Sequence, residues 1–354
     1  MNFASDNTTG FAPEMLEALT RANQDSDMPY GADAVTARLK QRIADIFETE
    51  VEVFPVSTGT AANVLSVSLL CPSWGAVWCH AESHLNADEC GAFELQSGGG
   101  KLMPVAGEHG RFSADILAEV LKNSGQRGVH EALPSAVSIT QASEAGTVYA
   151  VEEIAAISGI CRDRGLGLHM DGARFSNALV ALGCSPAEAT WKAGVDILSL
   201  GATKNGALAA EAVVIFAEGL RARTDELAYR RMKAGHLLSK MRFLSAQLEA
   251  YLTDDLWLRN ARHANAMAAR LAEGIAALPG ARLVHPVEAN ELFTILPIAV
   301  IKGLRADGYV FYDWPDGGED CVRLICAFNT RPEDVDSLLD AARRHAGGQQ
   351  SGSK

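Results

Sequence analysis

The chain has 354 residues, 48% of them hydrophobic and 21% charged, a composition typical of globular proteins. Its formal net charge of −13 argues against nucleic acid or an anionic membrane as a partner, because both bind through clustered Lys and Arg. The seven cysteines form no CxxC pair, which indicates a reducing compartment and neither disulfides nor a metal site. With no signal peptide and no apolar run near ~18 residues, we expect a cytoplasmic protein.

The elements alternate through the first two thirds of the chain. Residues 1–30 are polar and rich in turns and predict an irregular N-terminal arm, and helical spacing follows from Asp33 to Glu48. Strands are predicted at Val51–Val56, Ala76–Cys79, Val137–Thr140, Leu166–Met170, Ile197–Leu200 and Ala212–Phe216, and helices at Ala61–Leu70, 113–122, 151–163 and 185–193. The last two strands are too close for a helix between them, so we expect them to pair. This alternation predicts an α/β fold with a mainly parallel sheet covered on both faces.

The pattern changes after about residue 220. Residues 224–277 have almost continuous helical propensity, and the region after Pro279 is typical of an α+β unit. Its strands are predicted at Arg282–His285, Leu292–Ile295, Tyr309–Tyr312 and Val322–Phe328, followed by a helix at Pro332–Arg344. We therefore predict a large domain over 31–245, a small C-terminal domain over 246–346 and a disordered tail over 347–354.

Three segments carry residues suited to catalysis. The first, STGTAAN at 57–63, joins a predicted strand to a helix, so Gly59 and Thr60 are candidates for binding a phosphate at the helix N-terminus. The second, LHMDGAR, places Asp171 at a strand end, where open α/β sheets bind ligands. The third, SLGATKNG, places Lys204 after another strand, 33 residues later.

Each segment alone is common, but together they supply the three anchors of pyridoxal 5'-phosphate. The helix N-terminus holds the phosphate, Asp171 keeps the pyridine nitrogen protonated, and Lys204 is the Schiff-base lysine. The sequence lacks GxGxxG and GxxxxGK[ST], so neither a dinucleotide nor a nucleoside triphosphate is favoured. We expect no metal site.

The chain resembles the low-specificity L-threonine aldolases of the aspartate-aminotransferase-like superfamily, including phenylserine-cleaving members. The resemblance runs through SDN, PYGAD, SHLNADECGA, HMDGARF, GATKNG, AGHLLSKMRFLSAQ and VRLICAF. It implies pyridoxal-phosphate-dependent cleavage of L-threonine, L-allo-threonine or L-phenylserine to glycine and an aldehyde. It also implies a homotetramer built as a dimer of dimers.

The resemblance assigns further roles. It places Arg174 beside the cofactor's ring hydroxyl, and it makes Ser5 and Arg323 a clamp for the substrate carboxylate. Tyr30 is expected at the mouth of the site, lent to the neighbouring subunit. His84 is expected to stack on the ring near the substrate hydroxyl. Many relatives carry a second active-site histidine where this chain has Ser143, so the base is either His84 or a water that it orients.

Other reactions use the same anchors. A β-eliminating lyase or an aminotransferase of this superfamily needs the same lysine, aspartate and phosphate site, because these residues indicate the cofactor and not the reaction. A binding protein on the same fold is a further alternative. It is disfavoured because Lys204, Asp171 and Arg323 are all present.

Overall fold

The computed structural model describes residues 1–24 and 26–347, so the predicted tail beyond Gly347 lies outside the described residues. The strands are β1 (Glu52–Val56), β2 (Gly75–His80), β3 (Lys101–Val105), β4 (Leu133–Thr140), β5 (Gly167–Gly172), β6 (Ile197–Gly201), β7 (Glu211–Ile215), β8 (Arg282–Leu283), β9 (Glu291–Ile295), β10 (Tyr312–Asp313) and β11 (Cys321–Ile325). The α-helices are α1 (Pro13–Ala22), α2 (Ala34–Phe47), α3 (Gly59–Leu70), α4 (His84–Ala87), α5 (Ala92–Ser97), α6 (Ala114–Leu121), α7 (Val151–Arg164), α8 (Phe175–Leu182), α9 (Glu218–Arg221), α10 (Thr224–Lys233), α11 (Arg242–Tyr251), α12 (Leu256–Ala276), α13 (Ile298–Ala306) and α14 (Pro332–Gly347).

Seven strands form the large sheet, in the order β1-β7-β6-β5-β4-β2-β3. The five strands from β6 to β3 are mutually parallel, and β7 is antiparallel to both of its neighbours. This confirms the mainly parallel sheet and the local pairing of the two closely spaced strands. The sequence did not reveal β3, because this edge strand has one fully buried residue and contains Pro104.

Helix α3 fixes one side of the site. Every residue from Ala61 to Leu69 is buried, since the helix packs against β6 and β7 of the sheet and against α5. A helix that is apolar nearly all round has to be buried in this way. Its N-terminus at Gly59 is consequently held at the carboxyl end of β1.

Four strands form a separate antiparallel sheet, in the order β10-β11-β9-β8. Helices α12, α13 and α14 pack with it around a core that includes Leu271, Leu292, Leu304, Leu324 and Leu338. The α+β character of this part is confirmed, whereas the domain boundary at residue 245 stays a prediction.

Several local predictions differ from the structure. The N-terminal arm contains a regular helix, α1, whose Met15 and Ala18 are buried. Residues 185–193 form turns and a short 3-10 helix instead of an α-helix, and α8 was not predicted. The long helical stretch is broken near Gly235 and at Asp254–Asp255, where the backbone takes positive φ values. None of the helices that the structure describes is long and apolar enough to cross a bilayer.

Candidate active site

A cavity of about 1010 Å³ lies at the carboxyl edge of the large sheet and reaches the second sheet. Carboxyl ends of parallel strands meet at one edge, which is where open α/β sheets bind ligands. Eight of the nine predicted site residues line this cavity: Ser5, Gly59, Thr60, His84, Asp171, Arg174, Lys204 and Arg323. The structure therefore brings together segments that are up to 318 residues apart in sequence (323 − 5).

The N-terminus of α3 has the features of an anion site. The Thr58 hydroxyl caps the helix by accepting from the main-chain N–H of Ala61 at 3.1 Å. Among the described residues, no acceptor is found for the N–H groups of Gly59 and Thr60. A side chain built at Gly59 would have no atom within 4 Å, so there is open space above the helix end. Two free N–H groups beside open space fit a phosphate.

Asp171 is the last residue but one of β5, and two donors hold its carboxylate. Its Oδ1 accepts from the main-chain N–H of Ala173 at 2.9 Å, and its Oδ2 accepts from the side-chain amide of Asn63 at 2.6 Å. The residue is only 3% exposed. These contacts fix the direction of the carboxylate, as required for a partner of a ring nitrogen.

Lys204 lies in the 3-10 turn Thr203–Asn205 that follows β6, where it is half-buried. The turn is anchored by its neighbour Asn205, whose amide nitrogen lies 2.8–2.9 Å from the Ser176 hydroxyl, the Tyr251 hydroxyl and the Trp257 carbonyl. A buried amide with three partners is costly to displace. The anchor therefore holds the lysine at a fixed position in the cavity wall.

Arg174 is bound by two acidic residues that sequence reasoning did not identify. Its Nε and Nη2 donate to Asp6 at 2.8 and 3.2 Å, and its Nη1 lies 3.1 Å from Glu291 Oε1. Burial alone would lower the pKa of Arg174, but the carboxylates of Asp6 and Glu291 outweigh it and raise the pKa. Asp6 belongs to the SDN segment, and its position next to the predicted site residue Ser5 is the feature of the sequence that could have identified it.

Arg323 on β11 is suited to binding a carboxylate. Its Nη2 donates to the carbonyl of Ala4 at 3.2 Å, and its guanidinium lies over the rings of Trp314 and Tyr312. Its Nε is buried and has no partner among the described residues. Because the carbonyl of Ala4 precedes Ser5, the N-terminal segment brings the Ser5 hydroxyl to the same end of the cavity. A guanidinium in the cavity wall fits the predicted carboxylate clamp.

His84 begins α4 and is part of a hydrogen-bond chain. Its Nδ1 lies 2.8 Å from Glu89 Oε1, and the same oxygen accepts from the Asn63 amide at 2.9 Å. The hydrogen bond to Glu89 raises the pKa of His84, although burial opposes the shift. Since Asn63 also binds Asp171, the chain Asp171–Asn63–Glu89–His84 joins two predicted site residues through two that were missed.

Neither Tyr30 nor Ser143 lines the cavity of this chain. Tyr30 does not line the cavity of its own chain; it is 55% exposed, so its predicted role in a neighbouring subunit's site stays a prediction. Ser143 is fully buried, and its hydroxyl contacts the Thr147 hydroxyl at 2.8 Å and the His109 carbonyl at 3.3 Å. It therefore faces away from the cavity, whereas its neighbour Glu144 lines it.

Comparisons with known proteins agree with this geometry. The Beta-eliminating lyase family matches residues 2–298. A low specificity L-threonine aldolase of Pseudomonas aeruginosa is 44% identical over 96% of both chains. The chain belongs to the low-specificity L-threonine aldolase family. A second relative of that name, from a Pseudomonas species, is 44% identical over 95% of both chains. A solved Leishmania major threonine aldolase is 28% identical, with a TM-score of 0.90 over 98% of this chain and 99% of that one.

Membership of the threonine aldolase family confirms the fold that the sequence predicted. The catalytic and binding roles of individual residues stay predictions, because the comparisons do not test them. What the structure adds is the set of polar residues behind the predicted ones: Asp6, Asn63, Glu89, Glu144 and Glu291. All five lie close to a segment or strand that the sequence had marked, but nothing in a single sequence separates them from ordinary surface polar residues.

Proposed function

We propose that this chain cleaves L-threonine, L-allo-threonine and related β-hydroxy-α-amino acids to glycine and an aldehyde, with pyridoxal 5'-phosphate as cofactor. The observation that carries the proposal is the convergence of Lys204, Asp171 and Arg323 on one cavity. These residues supply an amine, a fixed carboxylate and a guanidinium, which a cofactor aldehyde, a ring nitrogen and an amino-acid carboxylate require. The relatives at 44% identity carry the name of this reaction.

The cavity fits the cofactor at three points. The free N–H groups of Gly59 and Thr60 suit the phosphate, the carboxylate of Asp171 suits the pyridine nitrogen, and the Lys204 amine suits the aldehyde carbon. Arg174 is assigned to the ring hydroxyl. When bound, the protonated ring supplies an electron sink for the pair released as the Cα–Cβ bond breaks.

The chain's own residues position the substrate and move its protons. Arg323 and Ser5 bind the carboxylate and so fix the substrate's orientation. His84, or a water that it orients, takes the proton from the β-hydroxyl as the aldehyde forms. Glu89 holds the imidazole through Nδ1, leaving Nε2 for this transfer, and stabilises the charge that His84 gains. General base catalysis of this kind contributes about 10²–10⁴-fold to a rate.

The cavity has room for a large aldehyde side chain, so we include L-phenylserine among the substrates. Phe293, Tyr312, Trp314 and His285 line it on the side of the second sheet. Phe293 packs edge-on against both Trp314 and His285, which gives a continuous aromatic wall. A phenyl ring gains burial and edge contacts against such a wall that a methyl group cannot make.

We also propose a homotetramer that works in the cytoplasm. Large apolar side chains are exposed in the single chain: Met28, Tyr30, Leu208, Tyr229 and Met232. Tyr and Met are enriched at protein–protein interfaces, and the most exposed of these five side chains, Tyr229, is 80% accessible. The seven cysteines are all unpaired, as expected in a reducing compartment. Light scattering of the purified holoenzyme tests the assembly.

A product assay with L-threonine, L-allo-threonine and L-phenylserine tests the reaction. Equimolar glycine and aldehyde are expected, with activity lost in Lys204→Ala. Release of ammonia and an oxo acid would instead identify a β-eliminating lyase, and a requirement for an oxo-acid acceptor would identify an aminotransferase. A cofactor absorption band without cleavage of any of the three substrates would contradict the aldolase proposal and keep the cofactor assignment.

A further inference from the structure

His285 is the polar end of the aromatic wall of the cavity. It lies between β8 and β9, is half-buried and lines the cavity. Its ring packs edge-on against Phe293 with 5.4 Å between the ring centres, and Phe293 packs in the same way against Trp314 at 5.3 Å. The guanidinium of Arg323 lies 4.8 Å from the centre of the Trp314 ring. The wall therefore leads from the proposed carboxylate clamp, past two aromatic rings, to an imidazole.

A second imidazole holds the ring of His285. The Nδ1 atoms of His285 and His109 lie 3.0 Å apart, and the two rings meet at 84°. In a hydrogen bond between two imidazoles, one nitrogen carries the proton and the other accepts it. Among the described residues, this is the only hydrogen bond of the His285 ring. The nitrogen that remains for a ligand is therefore Nε2.

His109 is itself fixed by the segment that follows β4. Its carbonyl accepts a hydrogen bond from the Thr147 hydroxyl at 2.7 Å and lies 3.3 Å from the Ser143 hydroxyl. Both of these hydroxyl-bearing residues are fully buried. The backbone of His109 has a φ of 56°, which is uncommon for a residue other than glycine and needs such support. The imidazole pair is thus built into the fold and is not a chance contact of two surface side chains.

The pair also limits what His285 can bind. Burial, and after it the neighbouring His109, lower the pKa of His285, although Glu82 opposes the shift, so the imidazole is neutral at pH 7. If its Nδ1 accepts from His109, Nε2 carries the proton and donates; if Nδ1 donates, Nε2 accepts. A hydroxyl group both donates and accepts, so it suits Nε2 in either tautomer.

We propose that His285 binds a hydroxyl group on the aryl ring of the substrate, so that the site prefers hydroxyphenyl-substituted β-hydroxy-α-amino acids to L-phenylserine. With its carboxylate at Arg323, the substrate places its β-substituent along the wall. The methyl group of threonine is too short to pass two aromatic rings, whereas an aryl group extends toward the imidazole. His109 is a positioning residue that presents Nε2 of His285. The placement of the substrate carboxylate rests on the proposed function.

The test is the ratio of kcat/KM for 3- or 4-hydroxyphenylserine to kcat/KM for L-phenylserine, since a ratio cancels any general loss of activity. The wild-type holoenzyme should favour one hydroxylated substrate roughly tenfold, the effect of one hydrogen bond made in the site. In His285→Phe, which keeps a ring against Phe293 but has no nitrogen, the ratio should fall to about one or below. His285→Asn keeps a partner for His109 but has no group in the place of Nε2, so it should lose the preference too.

Two further variants separate the pair from general effects. His109→Leu should lower the ratio, because it leaves His285 without the bond that orients it. His130→Gln changes an exposed histidine in the 3-10 turn Gly128–His130 and should keep the wild-type ratio. L-Tyrosine, meta-tyrosine and L-phenylalanine lack the β-hydroxyl, so the proposed reaction cannot cleave them. Calorimetry of the holoenzyme with these three gives the same comparison as a ratio of Kd values.

Equal kcat/KM and equal Kd for the hydroxylated and parent compounds in wild type would overturn the proposal, and so would a preference that survives in His285→Phe. If His285→Phe does not fold, His285→Asn decides in the same way. Failure of the wild type to cleave any β-hydroxy amino acid would instead count against the proposed function. The Kd ratio would then still decide whether His285 binds the hydroxyl group.

Discussion

Asn63 donates a hydrogen bond of 2.6 Å to Asp171 Oδ2 in the buried floor of the cavity. The same amide nitrogen lies 2.9 Å from Glu89 Oε1, so one residue of α3 orients two carboxylates. The free N–H groups of Gly59 and Thr60 lie at the N-terminus of that helix. Phosphate binding and recognition of the ring nitrogen are thus tied to a single rigid element.

Replacing Asn63 should weaken cofactor binding. Asn63→Leu keeps the branched shape of the side chain but leaves Asp171 Oδ2 without its donor, a loss of about 1–3 kcal/mol for a buried group. We expect the Kd for pyridoxal phosphate to rise roughly tenfold or more, measured by absorbance titration of the cofactor-free protein. Ser66→Ala removes a buried hydroxyl of the same helix that has no hydrogen-bond partner among the described residues, and should bind normally. Equal affinity in Asn63→Leu and wild type would contradict this account.

Glu89→Gln should weaken His84 as a base. The hydrogen bond to Glu89 raises the pKa of His84, so its loss lowers that pKa and moves the acid limb of the kcat/KM profile to lower pH. Above the limb, the rate should fall by about tenfold or more, because the weaker base is also less well oriented. Steady-state kinetics across pH with L-threonine measures both effects. A lower rate with the acid limb of the kcat/KM profile at the same pH as in wild type would show that Glu89 only supports the fold.

The sequence predicts the residues expected to bind the cofactor better than the residues that hydrogen-bond to them. A strand end or a strand-to-helix turn places a residue at the edge of the sheet, and such positions can be recognised from the local sequence pattern alone. This is how the sequence predicts Lys204, Asp171 and Gly59 as site residues. Asp6 and Glu291 are 285 residues apart and become partners of Arg174 only through the fold. Contacts of that range leave no local signal in one sequence.

The helices and strands that the sequence misassigns are likewise those without a clear local pattern or those that tertiary contacts override. Strand β5 is buried along nearly its whole length, and its apolar run predicts it, whereas β3 has a single fully buried residue and gives no such run. The segment 185–193 has helical propensity but ends in a 3-10 turn. There, tertiary packing of Trp191, whose indole donates to the Phe47 carbonyl, replaces a regular helix.

Arg323→Lys should impair substrate binding more than chemistry. Lysine keeps the charge but loses the planar pair of donors and the stacking over Trp314 and Tyr312. We expect KM for L-threonine to rise about tenfold or more, with a smaller change in kcat and an unchanged Kd for the cofactor. Arg331→Lys, an exposed arginine paired with Asp334, is the control and should leave KM unaltered. A rise in the cofactor's Kd in Arg323→Lys would place this arginine at the cofactor and not at the substrate.

Asp6→Asn should destabilise the fold in a pH-dependent way. Burial alone would raise the pKa of Asp6, but Arg174 outweighs it and lowers the pKa, so ionised Asp6 stabilises the native state above its unfolded pKa of ~3.9. Because the variant removes one of the two buried carboxylates that pair with Arg174, the free energy of unfolding should fall by about 3–5 kcal/mol at pH 7. The difference from wild type should shrink as pH falls through the lowered pKa. Urea unfolding of the cofactor-free protein at pH 7 and at low pH measures this. The control is Asp336→Asn, which breaks a similar two-bond pair with Arg270 that is exposed to solvent. It should lower the free energy of unfolding by under about 1 kcal/mol. Equal losses of stability in the two variants would contradict the role given to burial.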